Sequence, residues 1–302
     1  MPTPRPFARA ELLALLAIVV IWGTNFVVMK TALRHFTPLQ LGAGRYLFAV
    51  LPLLFFVRPP RLPWKWVALY GLTQGLGQFG FLFTALNAGM TASLASVLMQ
   101  TQVFFTAVLG FVLLRERPGP PLQAGLVLAG AALACFALPY VLPQAGGGGG
   151  AVTALGLGLN LCAAACWGAS NIVTRKAQAA STGFDPLALV VWGSLVPVLP
   201  FVGLSLWLDA PQARWAWLQA DAWSWAAVAY LGWVATIAAY GMWTALLKRH
   251  PANRVAPFSL GVPVVGIAAG MGLLGEAVSA WQWAGILLVV AALACVMFWR
   301  RR

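Results

Sequence analysis

Trp22 and Asn25 stand three residues apart in one apolar run, and Trp167 and Asn171 stand four apart in another. At 3.6 residues per turn, each pair shares one face of a helix. An indole beside a carboxamide supplies an apolar wall with a donor and an acceptor, the equipment for holding a small polar molecule. Gln74 and Gln78, at i and i+4 with Gly71 and Gly75 on the same side, make a second such face. Ser93, Ser96 and Gln100 make a third. A neutral amide binds the carboxylate or the ammonium of a zwitterion without burying a net charge, so these faces suit an amino acid. Phe79, Phe83, Tyr240 and Trp243 are candidates for an aromatic wall around it. The same residue types also serve a plainer purpose, packing helices through indole contacts and interhelical hydrogen bonds. Gln102 falls off the Ser93–Gln100 stripe and reads as structural.

Chemistry that needs charge is missing from these faces. The acidic residues Glu11, Glu116, Asp185, Asp209, Asp221 and Glu276 all fall at the ends of apolar runs or between them. Only His35 and His250 offer imidazole, and neither shares the interior of a run with a carboxylate. A membrane-embedded enzyme would lack its catalytic set, so that reading stays a remote alternative and no catalytic residue is assigned. Cys135, Cys162, Cys166 and Cys295 lie inside apolar runs without further ligands, which implies no metal, no cofactor and no disulfide framework. Arg45 is the single charge inside a run, at ~9 Å from Leu39 by a rise of ~1.5 Å per residue. It reads as a structural arginine that snorkels or bonds a neighbouring helix end, with carboxylate binding as the alternative.

The elements that must position these faces are membrane helices. Of 302 residues, 61% are hydrophobic and 8% are charged, with mean hydropathy +0.85. A soluble domain carries roughly a quarter charged residues, and a soluble fold of this size could not cover so much apolar surface. A bilayer core needs about 20 apolar residues per helix. Ten runs qualify: 10–29, 39–57, 64–86, 92–114, 121–142, 153–174, 186–208, 222–247, 255–274 and 280–299. The first, preceded by Arg5 and Arg9, continues through Ile21, Trp22 and Phe26 with no small-residue cleavage site, and reads as a retained helix. The stretch 209–221 carries Trp215 and Trp217, with Trp223 beyond it, and reads as interfacial. With a cytoplasmic N-terminus, fifteen of the 19 Lys and Arg residues lie inside, Lys30, Arg34 and Arg214 lie outside and Arg45 lies within a run. That asymmetry places both termini in the cytoplasm of an inner membrane. It also explains the net charge of +13 by anionic lipid rather than nucleic acid.

Five glycines at Gly146–Gly150 divide the chain into 1–145 and 151–302. Trp22-Gly23 recurs 145 residues on as Trp167-Gly168, and Lys30 matches Arg175-Lys176. Pro38-Leu39 matches Pro186-Leu187. Further along the offset is 160, which pairs Tyr70 with Tyr230, Gly110 with Gly270, and Glu116 with Glu276. Five spans are an odd number, so the second half enters the membrane in the opposite sense. The expectation is an all-α membrane protein of ten transmembrane helices in two inverted five-helix repeats, with a site near the midplane between them. Pro257 and Pro263, with Gly261 and Gly266, mark a helix kink with freed carbonyls, a place for gating.

Several segments together resemble the drug/metabolite transporter superfamily in its EamA family. They are WGTNFVVMK at 22–30, GAGRYLFA at 42–49, GMTASLASVLMQTQVFFT at 89–106 and LLRE at 113–116. In the second half they are WGASNIVTRK at 167–176, YGMWTALLKRHPANRVAPFSLGVPVVG at 240–266 and LLGE at 273–276. The stretches 89–106 and 240–266 are similar to the amino-acid exporter branch, whose members export cysteine, O-acetylserine and aromatic amino acids. The resemblance implies ten helices, a central cavity and export of small metabolites. With the residue reading, the expected function is a secondary transporter exporting neutral amino acids, aromatic and sulfur-containing ones included, by alternating access. The alternative is efflux of aromatic drugs or other metabolites with proton coupling. The expected partners are the small-molecule substrate and membrane lipids, with no obligate protein partner. The branch that expels cations uses a glutamate in its first helix. Here the nearest match, Glu11, is at the helix edge, which argues against that coupling.

Overall fold

The computed structural model describes residues 7–115, 119–141, 152–181, 183–250 and 255–298. Glu116, the Gly146–Gly150 linker and the arginines of the C-terminus lie outside the described residues. Among those described there is helix and no strand. In chain order the helices are α1 (Arg9–Ala32), α2 (Pro38–Val50), α3 (64–87), α4 (Ala92–Leu114) and α5 (Pro120–Val141), then α6 (Ala154–Ala179), α7 (Pro186–Leu208), α8 (222–249), α9 (256–274) and α10 (Ala280–Phe298). Eight of them, with α2 continued through the turn to Phe55, are long and apolar enough to cross a bilayer, which makes this a multi-pass membrane protein. The helical stretch Phe258–Leu274 of α9 is apolar but shorter. In α3, Gln74, Gln78 and Asn87 lower the hydropathy.

The observed ends fall within a few residues of those expected, with two exceptions. α6 runs on to Ala179 rather than ending near Thr174. The second run stops being α-helical at Val50 and closes with a 3-10 turn at Leu53–Phe55. Pro52 explains the stop, since it has no N–H and restricts the residue before it.

Local chemistry sets the helix starts. Thr37, Thr91 and Thr153 each accept a backbone N–H three residues on, at Gln40, Leu94 and Gly156. Asp185 accepts from the Leu187 amide, and Asp221 from the Ser224 amide. Hydrogen bonding by Ser224, side chain and backbone, holds the Asp221 carboxyl below the usual carboxylate range. Pro38 and Pro186 each occupy the first position of a helix, where the missing donor costs nothing.

Packing brings the first five helices against the last five. α1 lies on α8 and α9, α6 lies on α3 and α4, α2 touches α7 and α8, and α5 packs along α10. Exchanging α1 with α6, α3 with α8 and α4 with α9 turns one part of that arrangement into the other. Smaller features repeat in the two halves. α3 contains a π-helical stretch at Gly71–Phe79 and α8 one at Tyr230–Ala238. α4 ends on Arg115 at φ 57°, and α9 on Gly275 at φ 65°, each with its amide on the carbonyl of Gly110 or Gly270.

Polar contacts tie the ends. The Glu276 carboxylate accepts the Ala92 and Ser93 amides at 2.7 and 2.8 Å and the Ser93 hydroxyl at 2.7 Å, closing the start of α4. At the start of α1, Glu11 meets His250 Nε2 at 2.9 Å, and the Phe7 ring lies 4.4 Å from the His250 ring. Lys30 donates to the Met90 carbonyl. Thr37 and Ser205 both donate to Asp209 Oδ2, at 2.7 and 2.6 Å.

Candidate ligand-binding cavity

The tryptophan-glycine pairs owe their placement to close helix approach. A Cβ at Gly23 would stand 2.5 Å from the Val265 Cβ on α9, and one at Gly168 would stand 2.9 Å from the Phe105 Cβ and the Thr106 amide on α4. Each glycine is thus the contact point between two helices. The neighbouring residue, about 100° round the helix, is turned inward. Trp22 and Trp167 therefore face a common cavity of about 330 Å3 between the two sets of five helices. That volume suits a small ligand.

The aromatic part of the wall comes mainly from α1 and α8. Trp22 Nε1 donates to the Ala235 carbonyl at 3.0 Å, and its ring lies 5.2 Å from Tyr240 and 5.5 Å from Trp243. Ala235 belongs to the π-helical stretch of α8, so that irregular turn holds the indole in place. The matching stretch of α3 accepts the Tyr46 hydroxyl on the Gln74 carbonyl at 3.3 Å. Phe79 closes the wall from α3.

The polar part is mostly amide. Asn25 and Gln78 line the cavity, each nearly enclosed, and Asn25 Oδ1 and Gln78 Oε1 have no hydrogen-bond partner. Gln100 Nε2 donates to the Ser259 carbonyl at 3.3 Å. Asn171 Nδ2 donates to Gln102 Oε1 at 2.7 Å and to Thr106 Oγ1 at 3.0 Å. Ser96 lines the cavity too and turns its hydroxyl back to the Ser93 carbonyl.

The structure departs from the sequence reading in several places. Gln74 leaves the large cavity: its Oε1 accepts the Ser170 hydroxyl and its Nε2 donates to the Tyr240 hydroxyl at 3.2 Å. Phe83 is wholly buried against Phe79, ring centroids 5.6 Å apart, as part of the core. Gln102, read as structural, lines the cavity beside Asn171. Ser93 serves Glu276. Pro257 lies in the opening 3-10 turn Ala256–Leu260, and Pro263 is the third residue of the α-helical part that follows. The prolines thus accompany a change of helix type near the start of α9. Pro263 has no N–H to offer the Ser259 carbonyl four residues earlier, and that oxygen is the one that receives Gln100.

Arg45 departs furthest from expectation. It is 2% exposed, with neither a snorkel nor a helix end to bond. Its guanidinium carbon sits 3.9 Å from the centre of the Phe79 ring, and it lines both the large cavity and a small pocket beside Tyr46, Tyr70 and Gln74. Nε and Nη1 have no hydrogen-bond partner. Among the described residues no group of His, Cys, Asp and Glu could hold a metal ion.

Comparison with known proteins adds kinship. The model of the EamA-like transporter family matches residues 9–138, which span α1 to α5, and 154–298, which span α6 to α10. A Salmonella typhimurium protein named "Probable amino-acid metabolite efflux pump" is 43% identical over 284 residues, 94% of this chain and 93% of its own length. An Escherichia coli protein of the same name is 41% identical over 298 residues, 97% of this chain and 98% of its own. A solved structure described only as "Crystal structure of protein" superposes with a TM-score of 0.63 at 18% identity, covering 97% of this chain and 98% of that one. At that identity the likeness concerns the fold alone.

Proposed function

This chain belongs to the EamA-like transporter family, and we propose that it exports neutral amino acids, aromatic and sulfur-containing ones included, across the inner membrane. The observation that carries the reading is the cavity of about 330 Å3 walled by Trp22, Tyr240 and Trp243 and set with the amides of Asn25, Gln78 and Asn171. Such a lining holds an uncharged or zwitterionic solute by stacking and hydrogen bonds, without a fixed carboxylate to select cations. The printed names of the two bacterial relatives agree with it.

The mechanism we propose is alternating access. The halves 1–145 and 151–302, each a five-helix repeat and inverted relative to each other, rock about the cavity so that it opens to one side at a time. The basic residues orient the chain with both termini in the cytoplasm. The exchange of packing partners between the halves supports this symmetry, as do the matched π-helical stretches of α3 and α8.

The test is flux of labelled amino acids from proteoliposomes containing the full chain. Flux of at least one neutral amino acid is expected, and Trp22→Ala and Gln78→Ala should each lower it roughly tenfold or more, the scale of removing one well-buried contact. An imposed pH gradient separates facilitated from proton-coupled transport. No flux of any amino acid would overturn the reading. Flux of aromatic drugs in its place would favour the alternative suggested by the aromatic lining, which includes Trp22, Phe79, Tyr240 and Trp243.

A further inference from the structure

We infer that the cavity is built for the two charged ends of an α-amino acid: Arg45 takes the carboxylate, and the carbonyl oxygens of Asn25 and Gln78 take the ammonium. This rests on the reading of the cavity as the substrate site and specifies the chemistry it recognises.

A buried polar atom without a hydrogen bond costs about 1–3 kcal/mol, so each one calls for an explanation. Among the described residues the unpartnered atoms belong to Asn25, Arg45, Trp66, Gln78 and Asn160. Trp66 and Asn160 lie away from the cavity. Asn25, Arg45 and Gln78 all line it, on α1, α2 and α3. The three sort by sign. Arg45 is left with donors, Nε and Nη1, while Asn25 and Gln78 are left with acceptors, Oδ1 and Oε1.

Nε–H and the Nη1 hydrogens lie on different sides of the guanidinium, and each can give a carboxylate oxygen a charge-assisted hydrogen bond. The Phe79 ring lies 3.9 Å from the guanidinium carbon. An ammonium has three donors and no acceptor, the complement of two carboxamide oxygens. Arg45 has no ion-paired acid among the described residues, so the carboxylate is its counter-ion, while the ammonium rests on the neutral carboxamide oxygens through hydrogen bonds. An amine with no carboxylate leaves Arg45 uncompensated, and a carboxylate with no ammonium leaves the two oxygens unpaired. The site therefore requires both ends.

The experiment takes the amino acid with the largest flux in wild-type proteoliposomes and competes it with its own α-amide, which lacks the carboxylate, and with its N-acetyl derivative, which lacks the ammonium. Both should compete at least tenfold more weakly than the parent amino acid. Arg45→Gln should lower flux of the amino acid more than tenfold and bring the amide level with it as a competitor. The wild-type series stands without any variant, so it decides the matter even where Arg45→Gln fails to fold. An amide that competes as well as the amino acid overturns the Arg45 assignment, and an N-acetyl derivative that does so overturns the Asn25 and Gln78 assignment. A folded Arg45→Gln protein that still discriminates against the amide also overturns it. Each of these results leaves amino-acid export standing, whereas absence of amino-acid flux removes the reading beneath it.

Discussion

Glu276→Ala is expected to destabilise the protein by about 3–5 kcal/mol, the sum of leaving two buried amides and one hydroxyl unpaired at roughly 1–3 kcal/mol each, less what relaxation and water recover. The carboxylate accepts the Ala92 and Ser93 amides and the Ser93 hydroxyl, and both residues are fully buried. It also sets a negative charge at the positive end of the α4 helix dipole, which adds about 0.3–1 kcal/mol. Glu276→Gln keeps the shape and one acceptor oxygen, so its loss should be the smaller of the two. Unfolding midpoints of wild type and both variants in detergent measure this. Equal midpoints for wild type and Glu276→Ala would show that the Ala92 and Ser93 amides do not depend on this carboxylate.

Gly23→Val and Gly168→Val should each cost about 3 kcal/mol or more, the upper part of the range for overpacking a close contact. At Gly23 the new carbon meets Val265 Cβ at 2.5 Å and the Val262 carbonyl at 3.0 Å. At Gly168 it meets the Thr106 amide, and backbone cannot turn aside as a side chain can. Helix separation at either point also swings Trp22 or Trp167 away from the cavity, so transport by whatever protein folds should fall with stability. Gly130→Val is the control, because nothing stands within 4 Å of its added carbon. It should melt with the wild type, and a Gly23→Val protein that did the same would refute the close-contact account.

The helices were legible because apolar length and proline or threonine at helix starts are local signals. The tryptophan-glycine pairs were legible as repeats, and ten of the proposed binding residues line the cavity: Trp22, Asn25, Gln78, Phe79, Ser96 and Gln100 from the first half, and Trp167, Asn171, Tyr240 and Trp243 from α6 and α8. The misplacements of Gln74 and Gln102 go with changes of helix type. Gln74 and Gln78 both lie in the π-helical stretch Gly71–Phe79, whose wider turns shift the phase relative to an α-helix. Gln78 then meets the cavity while Gln74 meets Ser170 and Tyr240. A 3-10 turn at Met99–Thr101 shifts the phase again before Gln102, whose amide lies beside Asn171. No residue in either stretch announces the change. The surroundings of Arg45 are hidden from the sequence for a different reason. Its depth along α2 is readable from the sequence, but the Phe79 ring beside it and the lack of a partner for Nε and Nη1 depend on which helices pack together.

That packing has a consequence for how the protein is made. Helices emerge from the ribosome in chain order, yet α1 settles on α8 and α9, α4 on α6 and α9, and α5 on α10. The first five helices therefore enter the bilayer before most of their neighbours exist. Until α6 arrives, Gln74 lacks Ser170 and Gln102 lacks Asn171. A chain arrested at mid-synthesis presents those amides to lipid, which makes the interval before α6 the one in which the insertion machinery must shield it.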